Sequence, residues 1–288
     1  MNRIANYRWL CLAALTLVSA PAAAQTCPGN PAALGIARTV EIDTKGGPGF
    51  GFEHFKTHDF LQMNEVVLTF DDGPWPNNTQ AILKALAFHC TKAVFFAIGK
   101  HAMWHPEILR EVAAQGHTIG SHTWSHIDLT RMPVDKAKAD LEMGISAVRR
   151  AVGDSAAPFF RFPALKHPPE LVKYTGERNL AIFSTDVDSF DFKLHKAETF
   201  VPTVIARMKK KGKGILLMHD FQRMTAAAIP ELLAQLKANG FKIVHMRAAV
   251  PVKSLPEYDA EILKQMKGPA SLVSERPTAS VVKTVPNP

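Results

Sequence analysis

The chain of 288 residues is poor in cysteine, with only Cys11, Cys27 and Cys90. So few thiols exclude a disulfide framework, and beyond residue 24 at most one bridge fits. Long apolar runs are also scarce. The strongest covers residues 9–20, shorter than the ~20 residues that a membrane-spanning helix needs, and nothing after it is longer. No membrane span is therefore expected. A nucleic-acid recognition motif is absent too. The formal charge is +8, and part of the excess is one run, Lys209, Lys210, Lys211 and Lys213. That run suits a helix C-terminus, where cations are favoured, so nucleic acid is not an expected partner. Weak attraction to an anionic cell envelope is compatible with the charge.

What is present begins with an export pattern. Arg3 and Arg8 precede the apolar run, and Ala22-Ala23-Ala24 follows Pro21. A charged n-region, an h-region and an A-x-A site predict a cleaved signal peptide over residues 1–24. The mature protein is then expected outside the cytoplasm, periplasmic or extracellular. No small residue stands directly before Cys27, which argues against a lipid anchor. In an oxidising compartment Cys27 and Cys90 are either one disulfide, tying an N-terminal arm to the first helix, or two separate buried thiols.

Residues 25–63 read as an irregular arm with one strand at 38–43 and a glycine-rich turn at 46–51. Residues 64–250 then alternate short apolar strands with helices. Strands are expected at 66–70, 93–98, 118–121, 158–161, 180–184, 214–218 and 241–245. Helical periodicity covers 78–89, 104–115, 134–152, 168–178, 197–210 and 225–239. Repeated strand–helix units imply a parallel sheet, and seven strands suit a distorted (β/α)7 barrel of the α/β class. A doubly wound open sheet is the alternative. Residues 251–288, rich in Pro, Ser, Lys and Val, are expected to be a largely disordered tail, with weak helical character only at 257–267.

Two clusters carry chemistry. Val66-Val67-Leu68-Thr69-Phe70 runs into two adjacent carboxylates, Asp71 and Asp72, and a Gly-Pro turn. Like charges at a strand mouth repel, so a cation is expected to hold one of them. His122 and His126 lie four apart, a spacing that places both imidazoles on one side of a helical turn. Asp72, His122 and His126 would leave a coordination position open for water, as catalytic metal sites do. Arg161 ends an apolar strand and needs a buried carboxylate, which points to Asp71. Asp71, Asp72, His122, Arg161 and His219 all fall at strand C-termini, the rim where barrel chemistry gathers. Trp75 follows the carboxylate turn and is a groove candidate, whereas Trp124 suits core packing at least as well. The remaining histidines, His54, His101, His117 and His195 among them, read as surface or core residues.

These motifs, in this order, resemble the polysaccharide deacetylases of carbohydrate esterase family 4. The likeness covers about residues 64–246. It implies a distorted barrel, a divalent metal (zinc, with cobalt as the alternative) and an acetylated glycan as partner. Thr69–Pro74 matches the first family motif, with Asp71 as general base and Asp72 as metal ligand. His122 and His126 complete the ligand set. Arg161-Phe162-Pro163-Ala164 matches the third: the arginine pairs with the base, and the Ala164 N–H faces the oxyanion. In Asp188–Phe192, Asp191 orients the catalytic histidine. Leu217-Met218-His219 supplies the general acid, His219, with Leu217 beside the acetyl methyl. Two departures stand out: Ala164 and Phe192 replace residues that are generally aromatic and Trp, which alters the substrate groove more than the catalytic set. The resemblance implies N-deacetylation of an N-acetylglucosamine-containing glycan. An O-acetyl esterase and a catalytically silent envelope glycan-binding protein are the alternatives.

Overall fold

Every residue of Glu65–Asp71 is buried, because this strand is sandwiched between two parallel neighbours and covered on both faces. In the computed structural model, which describes residues 27–194 and 196–273 (side chains to 265), it is the centre of the molecule. The expected signal peptide over 1–24, His195 and residues 274–288 lie outside the described residues.

The chain opens with β1 (Arg38–Ile42) and β2 (Gly49–Phe50). It then runs β3 (Glu65–Asp71), α1 (Asn78–Phe88), β4 (Val94–Ala97), α2 (Gly99–Trp104), α3 (Pro106–Ala114), β5 (Thr118–Ser121), α4 (Val134–Val152) and β6 (Ala156–Phe160). There follow α5 (Pro169–Glu177), β7 (Ala181–Phe183), β8 (Val187–Asp188), α6 (Ala197–Lys211), β9 (Gly214–His219), α7 (Arg223–Ala238), β10 (Lys242–Ala248) and α8 (Pro256–Val273). The ladders are parallel. β3 pairs with β4 and β9, β4 with β5, β5 with β6, and β6 with β7. β7 and β8 are separated only by Ser184, Thr185 and Asp186, and β8 pairs with β9. One bent segment thus pairs first with β6 and then with β9, which closes a ring.

Side-chain alternation sorts the core into two layers. Val66, Leu68 and Phe70 join the large cluster between strands and helices. Val67, Val94, Phe96, Phe159, Phe183 and Ile215 form a second cluster inside the ring. Ile42, Val244 and Met246 from β1 and β10 belong to that inner cluster and plug one end. The seventh expected strand, 241–245, exists as β10 but stands outside the ring. It meets β3 only at Glu65 and Val66, on the edge opposite β9, because β4 takes that edge from Thr69 onward. β10 instead pairs along β1, and the Thr118 hydroxyl donates to the Met246 carbonyl. The place in the ring goes to β8, whose two residues are too short for a periodicity to reveal.

Three further expectations are corrected or refined. The expected helix over 104–115 is α3, and a short helix the sequence reading missed, α2, precedes it; the two are separate because Pro106 removes a donor and His105 takes φ −132°, ψ 53°. The tail, expected to be helical only at 257–267, is helical over Pro256–Val273. Val252 and Ile262 are buried, α8 packs on α4, and Arg149 and Arg178 donate to the carbonyls of Val252 and Lys253. Cys27 and Cys90 are joined in a disulfide with Cα atoms 5.4 Å apart, fastening the arm behind α1. Among the described residues no helix is long and apolar enough to cross a membrane.

Candidate active site

β3 delivers Asp71 and Asp72 to the C-terminal mouth of the ring. The backbone turns at Asp72, whose φ of 76° lies in the left-handed region that Asp tolerates better than most residues. This turn swings Asp72 away from its neighbour. Asp72 Oδ1 lies 3.5 Å from His122 Nε2 and 3.3 Å from His126 Nε2. The three ligand atoms fall within 4.8 Å of one another. Asp72 Oδ1 is buried and accepts no hydrogen bond, an oxygen left without a donor. His122 Nδ1 donates to the Arg161 carbonyl at 2.7 Å, which fixes the tautomer and leaves Nε2 as a lone pair facing Asp72. Burial also pushes the His122 pKa down, against the pull of Asp71 and Asp72, and so favours that neutral ring. An orphan carboxylate oxygen opposite two imidazole nitrogens fits a divalent cation.

The histidine pair does not reach this geometry through a helical turn. Residues 122–126 form a loop in which Thr123 (φ 69°) and His126 (φ 55°) are both left-handed. For β-branched Thr123 that is a true outlier, held by its surroundings. Asp140 on α4 does the holding: its carboxylate accepts from Trp124 N–H at 3.1 Å, Ser125 N–H at 3.2 Å and Ser125 Oγ at 2.6 Å. Gly144, one turn further along α4, lets the loop lie directly on the helix. A Cβ there would sit 2.4 Å from the Thr123 carbonyl carbon and 2.6 Å from its oxygen. Gly144→Ala is therefore expected to destabilise the fold by ~1–3 kcal/mol and to weaken metal binding. Urea unfolding and metal titration check both effects, and unchanged affinity would show that the loop does not depend on this contact.

Asp71 faces the other way. Its Oδ1 accepts from Arg161 Nη1 at 2.7 Å, while Oδ2 stays 3.8 Å from His122 Nε2. Arg161 is fully buried inside the ring, 4.3 Å over the Phe96 ring. It also donates to Thr69 Oγ1 (2.8 Å) and to the carbonyls of Phe183 (3.2 Å) and Ser184 (2.9 Å). Across the mouth, His219 Nδ1 bonds Asp191 Oδ1 at 2.6 Å, and Asp191 Oδ2 accepts from the His219 N–H and Thr225 Oγ1. Burial opposes the imidazolium, but the hydrogen bond and charge of Asp191, aided by Asp72 and Asp71, raise the His219 pKa to about 9.

Asp71, Asp72, His122, His126 and His219 share one cavity of about 490 Å³. Ala164, Leu217 and Phe192 line it, as the sequence suggested. Ala164 sits at φ 51°, ψ 24°, a turn that re-aims its N–H. Trp75 is not in the wall; it stands beside Phe221, which is. Several wall residues escaped sequence reasoning. Glu53 and His54 come from the arm, with His54 Nδ1 2.7 Å from Ser184 Oγ, and Leu165, Asp188, Phe190 and Phe221 also line the wall. Only Asp188 and Phe190 carried a signal, within the Asp188–Phe192 motif. Behind the cavity lies a further buried acid, Asp220. Its carboxylate occupies the space a side chain at position 73 would need, and it accepts from Thr79 Oγ1 at 2.6 Å. Burial raises its pKa to about 7.

Comparison with known proteins fits this geometry. The polysaccharide deacetylase family model matches residues 61–182. A peptidoglycan-N-acetylglucosamine deacetylase of Listeria monocytogenes is 32% identical over 62% of this chain and 37% of its own length. A chitooligosaccharide deacetylase of Sinorhizobium fredii is 30% identical over 62% of this chain and 88% of its own. The chain spans 37% to 40% of the length of the first curated relatives it matches. The solved structure of a Bdellovibrio bacteriovorus peptidoglycan deacetylase superposes with a TM-score of 0.70 and 34% identity, covering 81% of this chain and 65% of that one. With a relative matched over nearly its full length and an orphan carboxylate facing two histidines in the expected cavity, the chain belongs to the polysaccharide deacetylase family.

Proposed function

We propose that the protein is an exported, metal-dependent hydrolase that removes N-acetyl groups from an N-acetylglucosamine-containing glycan, chito-oligosaccharide or peptidoglycan, and releases acetate. The observation that carries this reading is the shared cavity. A carboxylate held by Arg161 and an imidazole held by Asp191 face one another across the Asp72–His122–His126 donor set. A silent glycan-binding protein has no use for an acid and a base so supported.

Asp72, His122 and His126 would hold the cation, taken as zinc with cobalt as the alternative. When bound, it supplies Lewis acidity to the acetyl carbonyl and lowers the pKa of a water. Asp71 takes the proton of the attacking water through Oδ2, while Arg161 occupies Oδ1 and fixes the orientation of the carboxylate. The Ala164 N–H, in its left-handed turn, donates to the oxyanion. His219, held as imidazolium by Asp191, gives its proton to the departing amine nitrogen. Leu217 and Phe192 bound the space for the acetyl methyl.

The test uses secreted protein, whose mass is expected to match a chain beginning at Gln25, loaded with zinc or cobalt. Acetate release is measured on N-acetylated chito-oligosaccharides, peptidoglycan and O-acetylated xylan. Release from the N-acetylated substrates is expected. Release from xylan alone would assign an O-acetyl esterase, and none from any glycan with metal bound would leave a binding protein.

A further inference from the structure

Outside the cavity, a file of aromatic rings leads away from His219. The Phe221 ring lies 6.0 Å from His219 and 6.5 Å from Trp75; the Trp75 ring lies 5.2 Å from His101, and His101 lies 5.2 Å from Trp104. Trp75 is 37% exposed and Trp104 is 60% exposed. Both indoles stand among the exposed large side chains, not in the buried clusters. His101 between them is held in place by the Asp72 carbonyl, to which its Nδ1 is hydrogen-bonded at 2.5 Å. The spacing of the two indoles is therefore fixed from the metal-ligand turn outward.

Large exposed aromatic faces mark interaction surfaces. The chemistry of this one is set by what it continues. Phe221 is both a wall of the catalytic cavity and the first ring of the file, so a ligand leaving the cavity on that side runs onto Trp75. Flat indoles have an apolar body with a single polar edge. They match the C–H faces of pyranose rings, whose hydroxyls point outward to water.

We propose that Trp75 and Trp104 form a stacking track for sugar residues of the same glycan chain, beyond the residue whose acetyl group enters the cavity. The occupant is a linear chain of amino sugars, and the proposal rests on the deacetylase reading of the cavity. Its consequence is a preference for long chains. The track contributes nothing to a substrate too short to reach it.

The test compares N-acetylglucosamine dimer and hexamer. Trp104→Ala is expected to lower the hexamer-to-dimer ratio of kcat/KM about tenfold, ~1.4 kcal/mol, mainly through the hexamer KM. Trp104→Phe keeps a ring and is expected to restore most of the ratio. Binding is read separately, by calorimetry of the hexamer on the Asp71→Asn protein with and without Trp104→Ala; about a tenfold weaker Kd is expected. An unchanged ratio together with an unchanged Kd overturns the track. Loss of self-association in Trp104→Ala with hexamer binding intact would overturn it too, and would assign the patch to a second copy of the chain. If wild type releases no acetate from either oligomer but the hexamer Kd still depends on Trp104, the deacetylase reading fails and the track stands.

Discussion

Asp71→Asn is expected to slow acetate release by ~10²–10⁴-fold while leaving metal uptake intact. The amide has the same shape, and its oxygen can still accept from Arg161 Nη1, so the side chain keeps its place. What it loses is proton affinity. The nitrogen that replaces Oδ2 cannot receive a proton from water, and no other carboxylate in the cavity wall combines an arginine partner with a place beside the donor set. Asp72, His122 and His126 are untouched, so zinc stoichiometry should match wild type. The arrangement around Ala164 and His219 survives, so residual turnover over water should remain. Acetate release on saturating chito-oligosaccharide, with zinc content measured on the same sample, checks both halves. Turnover near the wild-type rate would remove Asp71 from the role of base.

Arg161→Ala is expected to cost ~3–5 kcal/mol of folding stability, because it leaves one member of a buried ion pair alone. The guanidinium has no exposed surface and donates to a carboxylate, a hydroxyl and two carbonyls, so its removal strands acceptors on β3 and at the end of β7. Against a total of ~5–15 kcal/mol for a typical domain, that loss is a large share. Arg161→Lys should recover little of it, since one ammonium cannot span the Asp71 side and the Ser184 side together. Urea unfolding of the metal-free proteins gives the comparison. A loss below about 1 kcal/mol would mean that the pair is solvated in a way its burial contradicts.

How far the sequence could be read depended on how local each feature is. Strand and helix periodicity is local, and β3, β5, β9 and the long helix α4 lie within a residue or two of where the apolar pattern puts them. That the carboxylates and histidines share one cavity was foreshadowed for another reason: reactive groups at the ends of apolar runs need external partners. What was hidden depends on distant contacts. The loop of His122 and His126 takes its shape from Asp140 and Gly144, which a spacing rule cannot see. The position of β10 is decided by β4, which takes the same β3 edge from Thr69 onward, while β9 fills the other. The helix α8 runs past its weak periodicity at 257–267, packed on α4, and two arginines hold the segment that leads into it. Glu53 and His54 enter the cavity because the arm folds back against Ser184, more than a hundred residues away. Trp75 was placed by its nearness in sequence to the carboxylates, whereas its ring neighbours are His101 and Phe221.

The bent segment from β7 to β8 has one more implication. Its carbonyls at Phe183 and Ser184 grip the same guanidinium that grips Asp71 on the far side of the ring, so Arg161 acts as a spoke across the hub. Any outward swing of that elbow would tug the spoke and strip the opposite carboxylate of its anchor. A mouth braced in this way resists widening, since opening it breaks bonds on both sides of the hub at once.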